Sequence, residues 1–362
     1  MEGRLLVTGA GTSASENLVR SLRSADPGLH IVGCHDDRFV LKSSAIDRRY
    51  LVPRLSHPRA AESLRRLIER ERIDLVIPTS DADVGALSRV RNGLPARCFL
   101  PDDEVIRLCQ DKFELTTRLR ASGIPAPETH AVTDLDKIGS LFARFGGRPP
   151  LWCRPRTGTS ARGGGPVHDA DEARRWILVW EAMRGIRPTQ FTLSEYLSGR
   201  EVLCQSLWRN GVLILANTFE RLSCFGADGV PSGVTSPSSL AKTISAPSVV
   251  ELCRAAVRAI APAASGAFSI DVKEDEHGAP HITEINAGRL FMAMTAFDRV
   301  LKHNMPLTYV RLGLGEPVEL RGEYDVVEGY YLVRDLDALP GVFQADELFE
   351  GILELGAGGG RS

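Results

Sequence analysis

The 362-residue chain contains no C-x-x-C pair, no internal repeat, no apolar run near the ~20 residues a membrane helix needs, and no excess of either charge. The seven cysteines, Cys34, Cys98, Cys109, Cys153, Cys204, Cys224 and Cys253, are odd in number, scattered, and mostly set in apolar runs. That pattern argues against a disulfide framework and predicts reduced core thiols. With 44 Lys and Arg against 46 Asp and Glu, neither nucleic acid nor an anionic membrane is the expected partner. The opening MEGRLLVTGAG reads as a strand and a turn rather than a signal peptide, so a cytoplasmic location is expected. What remains is ordinary globular composition, 43% hydrophobic and 25% charged, on a chain long enough for two or three domains.

Strand and helix patterns alternate over roughly the first hundred residues. Arg4 to Thr8 is a short apolar run, Gly9 to Ser13 a glycine turn, and Leu18, Val19 and Leu22 share a helix face. A strand at His30 to Cys34, a helix carrying Leu64, Leu67 and Ile68, and a strand at Asp74 to Ile77 follow. Such alternation predicts an open parallel sheet with helices on its faces. Gly9-x-Gly11-x-x-Ala14, with Asp36 about twenty-five residues further on, satisfies a dinucleotide fingerprint. Three uses of these glycines are open: NAD binding, a turn that merely admits the helix, or N–H groups holding a substrate carboxylate or phosphate.

A strand is expected at Cys98 to Leu100, then helices from Pro101 and from Asp111-Lys112, the latter closed by Gly123 ahead of Pro125 and Pro127. Leu151 to Pro155 reads as a strand bearing Arg154, and Thr157 to Gly165 is a glycine-rich loop, suited to closing over phosphates or serving as a connector. Asp169 and Glu172 predict a capping box for a helix whose Trp176 and Trp180 face the core. Antiparallel strands are expected at Phe191 to Leu197, Glu201 to Leu207 and Val212 to Phe219, then a long loop over Leu222 to Ser239 and a helix from Pro247. Met292 to Leu314 reads as helical, 316–355 as a β-rich extension containing Tyr330 and Tyr331, and 356–362 as a disordered tail.

The stretch from Phe268 to Arg289 predicts a hairpin turning at Glu276-His277-Gly278. Glu284 and Asn286, two residues apart, share one face, and Asp271 on the other strand can join them. Two carboxylates and an amide oxygen suit Mg²⁺ bridging nucleotide phosphates; a solvated acidic hairpin is the alternative.

In order, these features resemble an ATP-grasp enzyme out to about residue 315: Asp111-Lys112 with Gly123-Ile124-Pro125-Ala126-Pro127, Arg154-Pro155 before the glycine loop, Glu195-Tyr196-Leu197-Ser198-Gly199-Arg200-Glu201, and Asp271 followed by Glu284-Ile285-Asn286, where 284 − 271 = 13. The likeness is greatest to carbamoyl-phosphate-synthetase-like members and, in the hairpin, to D-alanine:D-alanine ligase. It implies an α/β protein with a preATP-grasp parallel-sheet domain (1–110) and an ATP-grasp domain (111–315, lid about 125–197) of two α+β subdomains clamping ATP. It also implies roles. Lys112 and Arg154 would bind phosphates under a loop including Gly158, Thr159, Ser160 and Gly163. Glu195, Tyr196 and Leu197 would meet adenine, and Glu201 the ribose. Asp271, Glu284 and Asn286 would hold Mg²⁺, or Mn²⁺, with Arg154 and Arg289 catalytic. Substrate would touch Gly11, Thr12, Ser13, Ser80, Asp81, Arg221 and Arg289. Lysine is usual where this sequence has Arg154. The implied reaction joins a small-molecule carboxylate to an amine in an ADP-forming ligase, in a possible homodimer. A small-molecule kinase, a non-catalytic ATP-binding protein and an NAD-dependent dehydrogenase are the alternatives, the last weakened because preATP-grasp domains generally bind no NAD.

Overall fold

The computed structural model describes residues 3–146, 149–159, 161–227, 238–334 and 351–354. Along the first part run β1 (Arg4–Thr8), α1 (Ser13–Ala25), β2 (His30–His35), α2 (Arg38–Lys42), β3 (Arg48–Leu51), α3 (Ala60–Glu71), β4 (Leu75–Ile77) and α4 (Asp81–Val90). Then come α5 (Asp103–Gln110), α6 (Lys112–Ala121), β5 (Thr129–Ala131), α7 (Ile138–Arg144), β6 (Leu151–Pro155), β7 (Gly165–Val167), α8 (Ala170–Arg184) and β8 (Phe191–Glu195). The remainder holds β9 (Glu201–Arg209), β10 (Val212–Cys224), β11 (Ser238–Thr243), α9 (Pro247–Ile260), β12 (Gly266–Glu274), β13 (Pro280–Ala287), α10 (Met305–Leu314), β14 (Tyr331–Val333) and β15 (Ile352–Glu354).

Three sheets result. The first is wholly parallel, in the order β15-β3-β2-β1-β4. Its buried strands are continuous apolar runs because helices cover both faces. The central sheet, β13-β12-β9-β10-β11-β14, is antiparallel, and so is the small sheet β5-β8-β6-β7. Leu6 and Val76 of the parallel sheet belong to the same buried cluster as Cys204 and Phe268 of the central one. The small sheet instead has its own core, in which Cys153, Ile177 and Leu193 meet. Two sheets therefore share an interior while the third forms a separate packing unit.

Local chemistry explains most boundaries. Asp37, Asp111, Asp169 and Asn304 each cap a helix by accepting backbone N–H groups. Glu172, for its part, accepts from His168 N–H, one residue outside the expected reciprocal position. Four expectations need correction. Cys98 to Leu100 is no strand; one bridge, Leu75 to Arg97, is made there, and the Phe99 carbonyl accepts from the Tyr309 hydroxyl. Met292 to Leu314 is broken, with a 3₁₀ turn over Met294–Arg299 and a fresh helix where Asn304 and Pro306 restart it. The expected loop after Leu222 is shorter at both ends, since β10 runs to Cys224 and β11 begins at Ser238; its middle, with Thr235, lies outside the described residues. Trp176 and Trp180 are only half-buried, packed on the core of the small sheet rather than within it. All seven cysteines are free, five of them buried. The segment 356–362 also lies outside the described residues.

Candidate active site

A cavity of about 1010 Å³ opens where the three sheets face one another. The register of β12 and β13 sets Asp271 opposite Glu284 and Ser269 opposite Asn286, with a bulge after Asp271. Asn286 Nδ2 donates to Asp271 Oδ2 at 3.1 Å, and Glu284, opposite Asp271, lines the same cavity, so the three expected residues come together. Each is held by a cation from elsewhere in the chain. Arg221 Nη2 lies 3.0 Å from Asp271 Oδ1, Lys112 Nζ 3.5 Å from Glu284 Oε1, and Arg289 Nη2 donates to Asn286 Oδ1 at 2.7 Å. Arg289 also clasps Asp81, at 3.0 Å through Nη2. Burial pushes the Asp271 carboxyl up to about 6; Arg221 opposes the rise and Glu284 adds to it.

Arg154 comes from β6 of the small sheet and donates through Nη2 to the Thr283 carbonyl at 3.0 Å. Its buried Nε has no hydrogen-bond partner among the described residues. Burial pulls this guanidinium down from its usual range, against the pull of Glu284 and Asp271. Lys112 Nζ also donates to the Gly158 carbonyl at 2.8 Å, tying the start of α6 to the glycine loop. Thr157, Gly158 and Thr159 line the cavity, and Ser160 lies outside the described residues. Gly163 does not line it: a Cβ there, at φ 77°, would come 2.8 Å from Pro155 Cγ, and its carbonyl accepts from Trp176 Nε1 at 2.9 Å. That glycine anchors the loop to its own subdomain.

Glu201, at the start of β9, lines the cavity between Arg221 at 3.2 Å and Lys273 at 3.0 Å. Burial would raise its carboxyl, but these two cations bring it below the ordinary value. Burial likewise works against the Arg221 charge, and Asp271 with Glu201 raise it on balance. Glu195, Tyr196 and Leu197 do not line the cavity: the Glu195 carboxylate accepts from Glu128 N–H at 2.7 Å, Tyr196 is exposed, and Leu197 is buried. Trp152, Gly199 and Arg200 line that end instead.

On the far wall Ser13, Ser80 and Asp81 line the cavity, whereas Gly11 and Thr12 do not. The Gly11 N–H donates to Glu16 Oε1 at 3.2 Å, and the same carboxylate accepts from the Ser44 hydroxyl and Ala45 N–H. A Cβ on Gly11, at φ 91°, would fall 1.8 Å from the Val40 carbonyl oxygen. The glycine turn thus serves close packing of α2 and is closed by the chain's own carboxylate, at the place where a dinucleotide fingerprint would present N–H groups to a pyrophosphate. Thr12 caps α1 by accepting from Ser15 N–H.

Sequence reasoning passed over Lys273 and Trp152, although each lies two residues from a chosen residue, Asp271 and Arg154, and so faces the same way. It also missed the apolar wall of Phe291, Met292 and Met294, and Glu220, buried in the cavity wall with Lys242 Nζ at 3.1 Å. For these no local signal exists.

Among the described residues no three His, Cys, Asp or Glu side chains gather to hold a metal unaided. Asp271, Glu284 and the Asn286 amide nevertheless match Mg²⁺, which takes one or two protein carboxylates and completes its shell with phosphates and water. The unpartnered Arg154 Nε beside them suits a phosphate oxygen. The residues fit Mg-nucleotide.

No protein-family model matches the chain. Solved structures do. An L-amino acid ligase from Bacillus licheniformis superposes with a TM-score of 0.66 at 15% identity, covering 88% of this chain and 76% of its own. Biotin carboxylase from Campylobacter jejuni gives 0.70 at 12%, covering 91% and 74%. N5-carboxyaminoimidazole synthase from Aspergillus clavatus, solved with ADP and 5-aminoimidazole ribonucleotide, gives 0.66 at 17%, covering 89% and 79%. The likeness at these identities is one of architecture.

Proposed function

Because the chain has the ATP-grasp fold and its cavity gathers two carboxylates, an amide and an array of cations, we propose that it is an ADP-forming ligase that activates a small-molecule carboxylate with ATP and joins it to an amine. The observation that carries this reading is the convergence of Asp271, Glu284 and Asn286 on one face with Lys112 and Arg154 beside them. Mg²⁺, or Mn²⁺, held by Asp271, Glu284 and Asn286, would neutralise charge on the transferred phosphoryl group. Lys112 and Arg154 bind and orient the phosphates; Arg154 Nε supplies a donor already desolvated. Glu201 faces the ribose. The adenine end is walled by Trp152, Gly199 and Arg200.

A substrate carboxylate oxygen attacks the γ-phosphorus, and the bond to the β,γ-bridging oxygen breaks, releasing ADP. The amine nitrogen then attacks the acyl carbon, phosphate departs with the C–O electron pair, and the amine proton leaves with it. Arg289, at the edge of the oxygen cluster, holds the substrate carboxylate or the oxyanion that develops from it. The lid, with its separate core, closes the glycine loop over the acylphosphate and excludes water. The test incubates the protein and Mg-ATP with panels of carboxylates and amines, following nucleotide and product by mass spectrometry. ADP with an amide supports the reading. AMP with pyrophosphate, or a stable phosphorylated product without an amide, overturns it.

A further inference from the structure

A second cavity, of about 450 Å³, lies at the carboxyl ends of β1, β2 and β4. Thr8 and Asp83 line it with His35, Asp36 and Arg54, and Val52, Pro53 and Leu55 give it an apolar roof. Ala14, Thr79, Ser80 and Ala82 line both this cavity and the larger one, so the two meet at the start of α4. The first turn of α4 straddles the junction. Asp81 faces the large cavity, where it holds Arg289, and Asp83 faces the small one.

Charge sets Asp83 apart. Every other carboxylate lining either cavity has an ion pair: Asp81 with Arg289, Glu201 with Arg221 and Lys273, Glu220 with Lys242, Asp271 with Arg221, Glu284 with Lys112, and Asp36 with Arg54. Asp83 alone among them has no ion-pair partner within the described residues: it accepts from the Thr8 hydroxyl at 2.8 Å, while His35 and Arg54, which line the same cavity, both pair with Asp36. Its setting is unfavourable to a bare negative charge, and burial raises its carboxyl, with Asp36 adding to the rise against the Thr8 and Ser80 hydroxyls and His35. A nucleotide is unsuited to this place. Asp36 and Asp83 would repel its phosphates, and the Gly11 N–H that would greet them is taken by Glu16.

We propose that this second cavity is the acceptor subsite: it binds a small amine with an aliphatic body and a second, cationic nitrogen, which pairs with Asp83 while the reacting amine emerges past Ser80 toward Arg289. The apolar roof takes the aliphatic stem, and the volume lies within the range of small-molecule pockets. This assignment rests on the ligase reading for the fate of the amine, but binding is separable from it, because Asp83 touches neither the oxygen cluster nor the phosphate cations.

The experiment is calorimetric titration of the full chain, without nucleotide, with 1,5-diaminopentane, n-pentylamine and 1-pentanol. The two amines bind and the alcohol does not. Asp83→Asn weakens amine binding by about tenfold or more, the worth of a charge-assisted contact, and leaves Mg-ADP affinity unchanged. Ala82→Phe, at an exposed position on the shared rim, likewise weakens amine binding by blocking the mouth should Asp83→Asn fold poorly. Equal binding of amine and alcohol, no amine binding, or amine binding undiminished in both variants overturns the subsite. None of those results touches the ligase reading, which stands or falls on the products formed from Mg-ATP.

Discussion

Glu284 has one ion-pair partner, Lys112 at 3.5 Å, and keeps about a quarter of its side chain exposed, so its charge contributes little to folding. In the proposed chemistry it matters greatly. Glu284→Gln is expected to lower Mg-ATP turnover by about 10²-fold or more while shifting the stability of the nucleotide-free protein by less than about 0.5 kcal/mol. Asp271→Asn is expected to behave alike, since burial already penalises the Asp271 charge. Thermal unfolding alongside ADP release checks both; a large loss of stability in both variants would make the hairpin structural. This cluster was legible in the sequence because two-residue periodicity and a short turn fix which side chains of a hairpin meet. Its counter-charges were not. Arg221 reaches Asp271 across β9 from β10, and Arg289 meets Asp81 from 208 positions away. No local period encodes such pairs.

At the scale of elements, the glycine turn after β1 tests whether packing or ligand binding demanded it. Gly11→Ala brings a methyl group onto the Val40 carbonyl at a φ hostile to alanine. The expected cost is about 2–5 kcal/mol, seen as a lower urea midpoint with little change in slope. An undiminished midpoint would refute the packing role. Asp298 joins two further elements: its carboxylate accepts from the Ser21 hydroxyl of α1 and from the Met305 N–H of α10. Burial pushes it up to about 7, with those two donors opposing and Asp325 adding. A carboxyl raised in the folded state contributes stability that is fully present below its unfolded pKa near 4 and is lost as pH rises through about 7. Urea midpoints measured from pH 4.5 to 8 are expected to fall across that window, and to fall less in Asp298→Asn. Capping residues made most helix boundaries readable, whereas the break before α10 was missed because Asn304 and Pro306 sit inside an otherwise helical apolar pattern.

Over the whole molecule, the large cavity draws on all three sheets: Ser80 follows the parallel sheet, Asp271 lies in the central one and Arg154 in the small one. A bound Mg-nucleotide would therefore cross-link units that otherwise pack separately. Hydrogen exchange with Mg-ADP is expected to slow in the 155–165 loop and at the start of α4 as well as in β12 and β13; slowing confined to the central sheet would contradict lid closure. The parallel sheet and the antiparallel body were both evident from sequence patterning. That β14 and β15 extend two different sheets was not, because three-residue strands carry too little pattern to name their partners.

The position of β15 has a temporal consequence. Ile352 to Glu354 pair with β3, so a sheet begun by residues 4–8 gains its outer strand only after more than three hundred intervening residues have been synthesised. Until then the free edge of β3 is open to any passing strand. On a ribosome the central body can fold before the parallel sheet is sealed, and β15 acts as a late closing latch on that sheet.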